Sequence, residues 1–91
     1  MQDPGYEFEK VIIKFFGSPK TPIYFSGYFD RNNKFEARAL LFSICVREIN
    51  INNDNYSEQE INELKQYERY LSNGQVEYNT LVKCIEFLQQ L

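Results

Sequence analysis

The chain is predicted to be a single, mostly α domain, on three observations. Apolar residues return at intervals of three and four over most of its length, the spacing of one helix face. Ser57 followed three residues later by Glu60 writes a helix start into the second half. With 91 residues, 43% of them hydrophobic and 16% aromatic, there is enough apolar matter for one modest core and no more. The competing reading is an α+β domain with a short N-terminal sheet, because Val11-Ile12-Ile13 and the aromatics around them also suit a strand.

Met1–Gly5 reads as a tail or as a piece of a longer chain; it is polar and lacks the apolar core of a signal peptide. Over Tyr6–Phe16, the residues Phe8, Val11, Ile12, Phe15 and Phe16 mark one helix face, and helix is preferred to strand. Gly17 and Ser18-Pro19 stop it, since Gly suits a left-handed cap and Pro cannot continue a helix. Lys20–Asp30 is expected to be an irregular aromatic segment. Pro22 forbids a helix interior, Gly27 splits the aromatic run, and Ile23, Tyr24, Phe25, Tyr28 and Phe29 need burial either in the core or under a partner. Asp30-Arg31-Asn32-Asn33 is a turn by composition.

Phe35–Ile49 then reads as the central helix. Phe35, Ala39, Phe42, Cys45 or Val46, and Ile49 fall on one side, with Leu40, Leu41 and Ile44 widening the stripe. Glu36, Arg38, Arg47 and Glu48 are assigned to the wet side. Asn50–Asn55 is a loop. The capping box places a helix start near Glu58, with Tyr56 stapled against Ile61. Ile61, Leu64, Tyr67 or Glu68, and Leu71 carry that helix to Ser72-Asn73-Gly74, where Asn and Gly tolerate positive φ. Val76 is extended, and Tyr78, Leu81, Val82, Ile85, Leu88 and Leu91 mark a final amphipathic helix.

Composition argues against several functions. Thirteen acidic residues oppose ten basic ones, giving a net charge of −3 and a pI near 4.9. No basic stripe is visible for a nucleic acid, and no apolar run is long enough to span a bilayer. The chain contains no His. Cys-His and Ser-His nucleophile activation and imidazole metal ligation are therefore closed to it. The carboxylate pairs Glu7/Glu9 and Glu58/Glu60 read as solvated helix faces, so no enzyme activity and no cofactor are expected. Two cysteines, Cys45 and Cys84, in apolar surroundings read as buried thiols of an intracellular, cytoplasmic protein, or as a disulfide if their helices cross.

The segment Tyr56–Ile85 resembles an EF-hand of the calmodulin and myosin light-chain family. Tyr56-Ser57-Glu58-Gln59-Glu60-Ile61 matches the entering helix, Asn73-Gly74-Gln75-Val76-Glu77-Tyr78 the loop centre, and Leu81-Val82-Lys83-Cys84-Ile85 the exiting helix. In that family, a Gly at the sixth loop position makes the sharp turn, and the apolar residue two later makes a short β contact with a paired loop. The resemblance places the ligand positions on Arg69, Leu71, Asn73 and Thr80, none of which is a carboxylate, so the hand is calcium-dead. Lys65 and Glu68 depart from the apolar pattern of the entering helix. A Gly-capped αα-hairpin is the plainer account of the same residues.

Because EF-hands pair, the resemblance implies an EF-hand-like pair of helix-loop-helix units. Residues 6–49 would be a degenerate first hand and residues 56–91 the second. The first hand would enter through Tyr6–Phe16, carry Gly17–Gly27 as an insertion, hold Asp30, Asn32 and Asn33 in its loop, and set Phe35 against Val76. Ala39 stands where its terminal Glu belongs.

The function implied is a calcium-independent protein-binding adaptor, a light-chain-like lobe gripping an amphipathic target helix in a groove. Its partner-binding residues would be Phe42, Val46, Ile61, Leu64, Leu81, Val82, Ile85 and Leu88. An acidic lobe suits a basic helix of IQ-motif type, as the light-chain resemblance implies. Met1 is the only methionine, which predicts a narrow range of targets. The alternative is a small acidic neutralising protein (an immunity protein, antitoxin or phage inhibitor) that blocks a basic cleft. Asp54, Tyr56, Glu58, Glu63, Tyr67 and Tyr70 would do that work.

Overall fold

The computed structural model describes residues 4–17 and 35–91. Within them the chain forms four helices, α1 (Pro4–Phe16), α2 (Phe35–Asn50), α3 (Glu58–Leu71) and α4 (Tyr78–Gln90), with a short 3-10 turn at Asn53–Asn55 and no strand. Helix wins over strand at Val11-Ile12-Ile13 because Phe8, Val11 and Ile12 lie on one helical face and are all buried. α1 starts at Pro4, which suits the first turn because its missing N–H has no helical partner there, and so takes in Gly5. The aromatic segment Lys20–Asp30, the turn Asp30–Asn33 and the expected contact of Phe35 with Val76 lie outside the described residues or side chains.

The helix ends follow local chemistry in most places. Gly17 has φ +86°, and its N–H donates to the Ile13 carbonyl at 2.9 Å, closing α1 with a left-handed cap. The capping box of α3 is complete: Ser57 Oγ accepts from the Glu60 N–H at 3.2 Å, and the Ser57 N–H donates to Glu60 Oε1 at 2.8 Å. The far end of α3 differs from expectation. Neither Asn73 nor Gly74 has positive φ. Instead Ser72 stays helical and its hydroxyl donates to the Arg69 carbonyl, while the Asn73 side chain accepts from the Gln75 N–H at 3.0 Å. The side chains of Ser72 and Asn73 thus do what a left-handed glycine would have done.

The helices pack in exchanged order. α2 lies along α3 and touches α4, while α1 lies along α4. Phe8, Val11, Leu41, Ile44, Leu64, Leu71, Leu81, Ile85 and Leu88 are fully buried between them, each such side chain contributing on the order of 1.5–3 kcal/mol. Three cations tie helix C-termini to neighbouring helices. Lys14 Nζ donates to the carbonyls of Leu88, Gln89 and Leu91 at the end of α4. Arg38 donates to the Leu71 carbonyl at the end of α3, and Arg47 to the Phe15 carbonyl at the end of α1. Each places positive charge against the negative end of a helix dipole.

The buried face of α2 is turned from the one the sequence suggests. It runs through Ala37, Leu41, Ile44, Cys45 and Glu48, whereas Ala39 is exposed and Phe42, Val46 and Ile49 are half-buried. The offset is about one residue, or roughly 100° around the helix axis. An apolar stripe this wide has two flanks. Packing against α3 and α4 uses one of them and leaves Phe42 and Val46 at the rim.

Candidate functional site

The other flank is the first candidate surface among the described residues. Phe42, Ser43, Val46, Arg47, Asn50 and Ile51 line an open depression of about 430 Å³ on the outer side of α2. Ile51, just beyond the helix, is 73% exposed. Phe16 at the end of α1 is 45% exposed, and the Arg47 guanidinium at the edge of the depression lies 4.8 Å from its ring centroid. Arg47 is committed on its other sides, donating to the Phe15 carbonyl and pairing with Glu48.

The eight residues expected to bind a partner therefore divide. Leu64, Leu81, Ile85 and Leu88 have no exposed area and form the closed core. Ile61 and Val82 are half-buried against that core on α3 and α4. Phe42 and Val46 are the two that line the open depression.

The stretch from Arg69 to Thr80, from the last turn of α3 to the first turn of α4, carries side chains suited to packing rather than to ion binding. Arg69 is exposed, Leu71 is fully buried in the core, Asn73 spends its carbonyl on the Gln75 N–H, and Thr80 is half-buried in the first turn of α4. Among the described residues no three His, Cys, Asp or Glu side chains converge as a metal site would require.

Behind the depression lies a polar cluster the sequence reading missed. Glu48, assigned to the wet face, is 4% exposed. Its Oε1 accepts from the Tyr56 hydroxyl, and its Oε2 accepts from Asn52 Nδ2 at 2.6 Å and from Arg47 Nε at 3.2 Å. Burial alone would raise the Glu48 pKa. The bonds from Tyr56, Asn52 and Arg47 outweigh it and hold the carboxyl below its usual range. Burial and the adjoining carboxylate push the Tyr56 phenol up. The cluster pins the turn at residues 52–56 back onto α2. The asparagine-rich turn held the available signal: Asn52 four residues and Tyr56 eight residues after Glu48 lie within reach of its carboxylate if the chain reverses there.

The acidic and tyrosine set of the alternative reading is also divided. Asp54, Glu58 and Tyr70 are exposed, and Gln66 Nε2 donates to the Tyr70 hydroxyl at 3.0 Å. Glu63 is half-buried. Tyr56 serves Glu48, and Tyr67 stacks on Phe87 with ring centroids 5.3 Å apart, bridging α3 and α4. Phe87 had no place in the sequence reading of α4. Of the paired carboxylates, Glu7 accepts from Gln89 across α1 and α4 and Glu60 closes the capping box.

Cys45 on α2 and Cys84 on α4 are free thiols, both fully buried in the core, and Cys45 together with burial pushes the Cys84 thiol up. No described helix is long and apolar enough to cross a membrane. Comparison with protein-family models, with curated proteins and with solved structures gave no match.

Proposed function

We propose that the chain is a calcium-independent protein-binding adaptor that receives an amphipathic helix on the outer flank of α2. The observation that carries this reading is the open apolar depression lined by Phe42, Val46 and Ile51. Large apolar groups left in water on a small domain are a common mark of a docking surface. A helix presenting anchors at spacings of three and four would cover such a strip. The net charge of −3 favours a basic partner, as the light-chain resemblance also implies.

The finer architecture, two paired helix-loop-helix units of EF-hand type, belongs to the same proposal. It is supported by the exchanged packing, in which the first helix lies on the last and the second on the third. On this reading each unit is completed by the other. A connection that buries Leu71 at the end of α3 and leaves Gly74 without positive φ has no sharp turn to wrap around an ion. The adaptor would then be permanently in one signalling state, with Leu64, Leu81, Ile85 and Leu88 reached only if the target parts the helices.

Titration of a labelled basic amphipathic helix, followed by fluorescence anisotropy with calcium and again with a chelator, tests the reading. Saturable binding with the same affinity in both conditions is expected, weakened by Val46→Asp. Equal binding of an acidic control helix, or none of either, would overturn it.

A neutralising protein remains the second reading, favoured by one observation. Tyr70 is 49% exposed, and its hydroxyl is oriented by Gln66 on an acidic helix. Tyrosine held in this way is a frequent interface anchor. If that reading holds, Tyr70→Ala weakens binding to a basic enzyme cleft and Val46→Asp does not.

A further inference from the structure

Asn73-Gly74 is the one Asn-Gly pair in the chain, and the fold sets it in the exposed connection between α3 and α4. We propose that Asn73 is a site of self-modification: the Gly74 backbone nitrogen attacks the Asn73 side-chain amide, ammonia is released, and aspartate or isoaspartate is left in its place. Water is the co-reactant. The inference stands apart from both binding readings, since it concerns a covalent change within this turn.

The reaction balances without any change of oxidation state. Hydroxide takes the Gly74 N–H proton, and the nitrogen bonds to Cγ of Asn73 to close a five-membered ring. The Cγ–Nδ2 bond then breaks, and Nδ2 leaves as ammonia with a proton from water, which returns the hydroxide. A second water opens the succinimide. Cleavage at Cγ restores an ordinary peptide bond behind an aspartate, whereas cleavage at the main-chain carbonyl leaves the chain linked through the side chain as isoaspartate.

Three features single out this pair. Gly74 has no Cβ and no atom within 4 Å of where one would sit, so nothing crowds its nitrogen. Asn73 Oδ1 accepts from the Gln75 N–H at 3.0 Å, and that donor steadies the negative charge that grows on this oxygen as the nitrogen attacks. Both residues are exposed and lie outside the helices, where the backbone is free of the helical hydrogen-bond ladder. Among the other described asparagines, Asn50, Asn62 and Asn79 lie in helices, and Asn52, Asn53 and Asn55 each precede a residue with a Cβ. Asn73 lines a depression of about 410 Å³ together with Arg69, Tyr70 and Gln75. Conversion adds one negative charge there, making the Tyr70 surface more acidic and leaving the α2 depression as it is.

The test incubates the full chain in mildly alkaline buffer with no added reagent. Intact mass follows the reaction, fragmentation of the tryptic peptide Tyr70–Lys83 locates it, and a protein isoaspartyl methyltransferase counts the isoaspartate. The expected product has gained the difference between a hydroxyl and an amide NH2, at Asn73 and with isoaspartate present. It should form faster as pH rises, and at a similar rate in the native chain and in urea. Gly74→Ala should slow it several-fold; should that variant not fold, Asn73→Gln should abolish it. Conversion confined to urea, conversion at another asparagine before Asn73, a product without isoaspartate, or an unchanged rate in a folded Gly74→Ala chain would each overturn the proposal.

Discussion

The Tyr56 hydroxyl donates to Oε1 of Glu48, joining the residue before the α3 cap to a carboxylate buried near the end of α2. This bond links the two helices of the α2–α3 pair through the turn between them, and it makes the domain sensitive at both ends of the pH scale. Glu48 has a folded pKa below its unfolded value. Its contribution is therefore present above about pH 4.5 and is lost as pH falls through the folded pKa. Tyr56 has a raised folded pKa, so its contribution is present below about pH 10 and is lost as pH rises through the folded value. Tyr56→Phe should destabilise by about 1–3 kcal/mol at neutral pH, since it leaves a buried carboxylate oxygen short of a donor. It should also flatten the fall in stability at both extremes. Urea midpoints measured from pH 3 to pH 11 check both effects, and an unchanged pH profile in the variant would remove Tyr56 from the account.

Gly17 and Gly74 should respond oppositely to the same change. Gly17 holds φ +86° with no atom within 4 Å of where a Cβ would sit, so Gly17→Ala carries a backbone penalty alone, about 1–2 kcal/mol. Gly74 has equal space and no positive φ. Gly74→Ala should then be neutral or stabilising by up to about 1 kcal/mol through the unfolded chain. Thermal melts of the two variants side by side decide it. A large loss at Gly74 would mean that its turn is as sharp as that of a calcium loop.

Core and docking flank should separate in the same way. Ile85→Ala removes a fully buried side chain and should cost about 2–5 kcal/mol. Ile51→Glu alters a residue that is mostly in water and should change stability by no more than about 0.5 kcal/mol. The same substitution should weaken binding of a basic amphipathic helix at least about tenfold, or 1.4 kcal/mol. Denaturation and anisotropy on both variants test this, and unimpaired binding by Ile51→Glu would move the docking surface elsewhere.

Calcium at millimolar concentration should leave the melting temperature unchanged. A ligand that binds the folded chain raises stability by mass action, and the stretch from Arg69 to Thr80 contains a single carboxylate, Glu77, too few for a hard dication. A rise of several degrees, reversed by a chelator, would contradict this.

What could be read in the sequence was local. The helix start at Ser57 and Glu60, the cap at Gly17 and the helical period of all four segments depend on residues within a few positions of one another. The sequence determined four helices and where most of them stop. Tertiary structure decided which flank of α2 is buried, because a stripe wide enough for two faces is resolved only by where α3 and α4 lie against it. It also decided that Glu48 is interior, since a carboxylate can be buried only where donors from the returning turn meet it. The pairing of Tyr67 with Phe87 has the same origin. These are contacts between helices, and helical periodicity says which side a residue occupies, not what it will meet there.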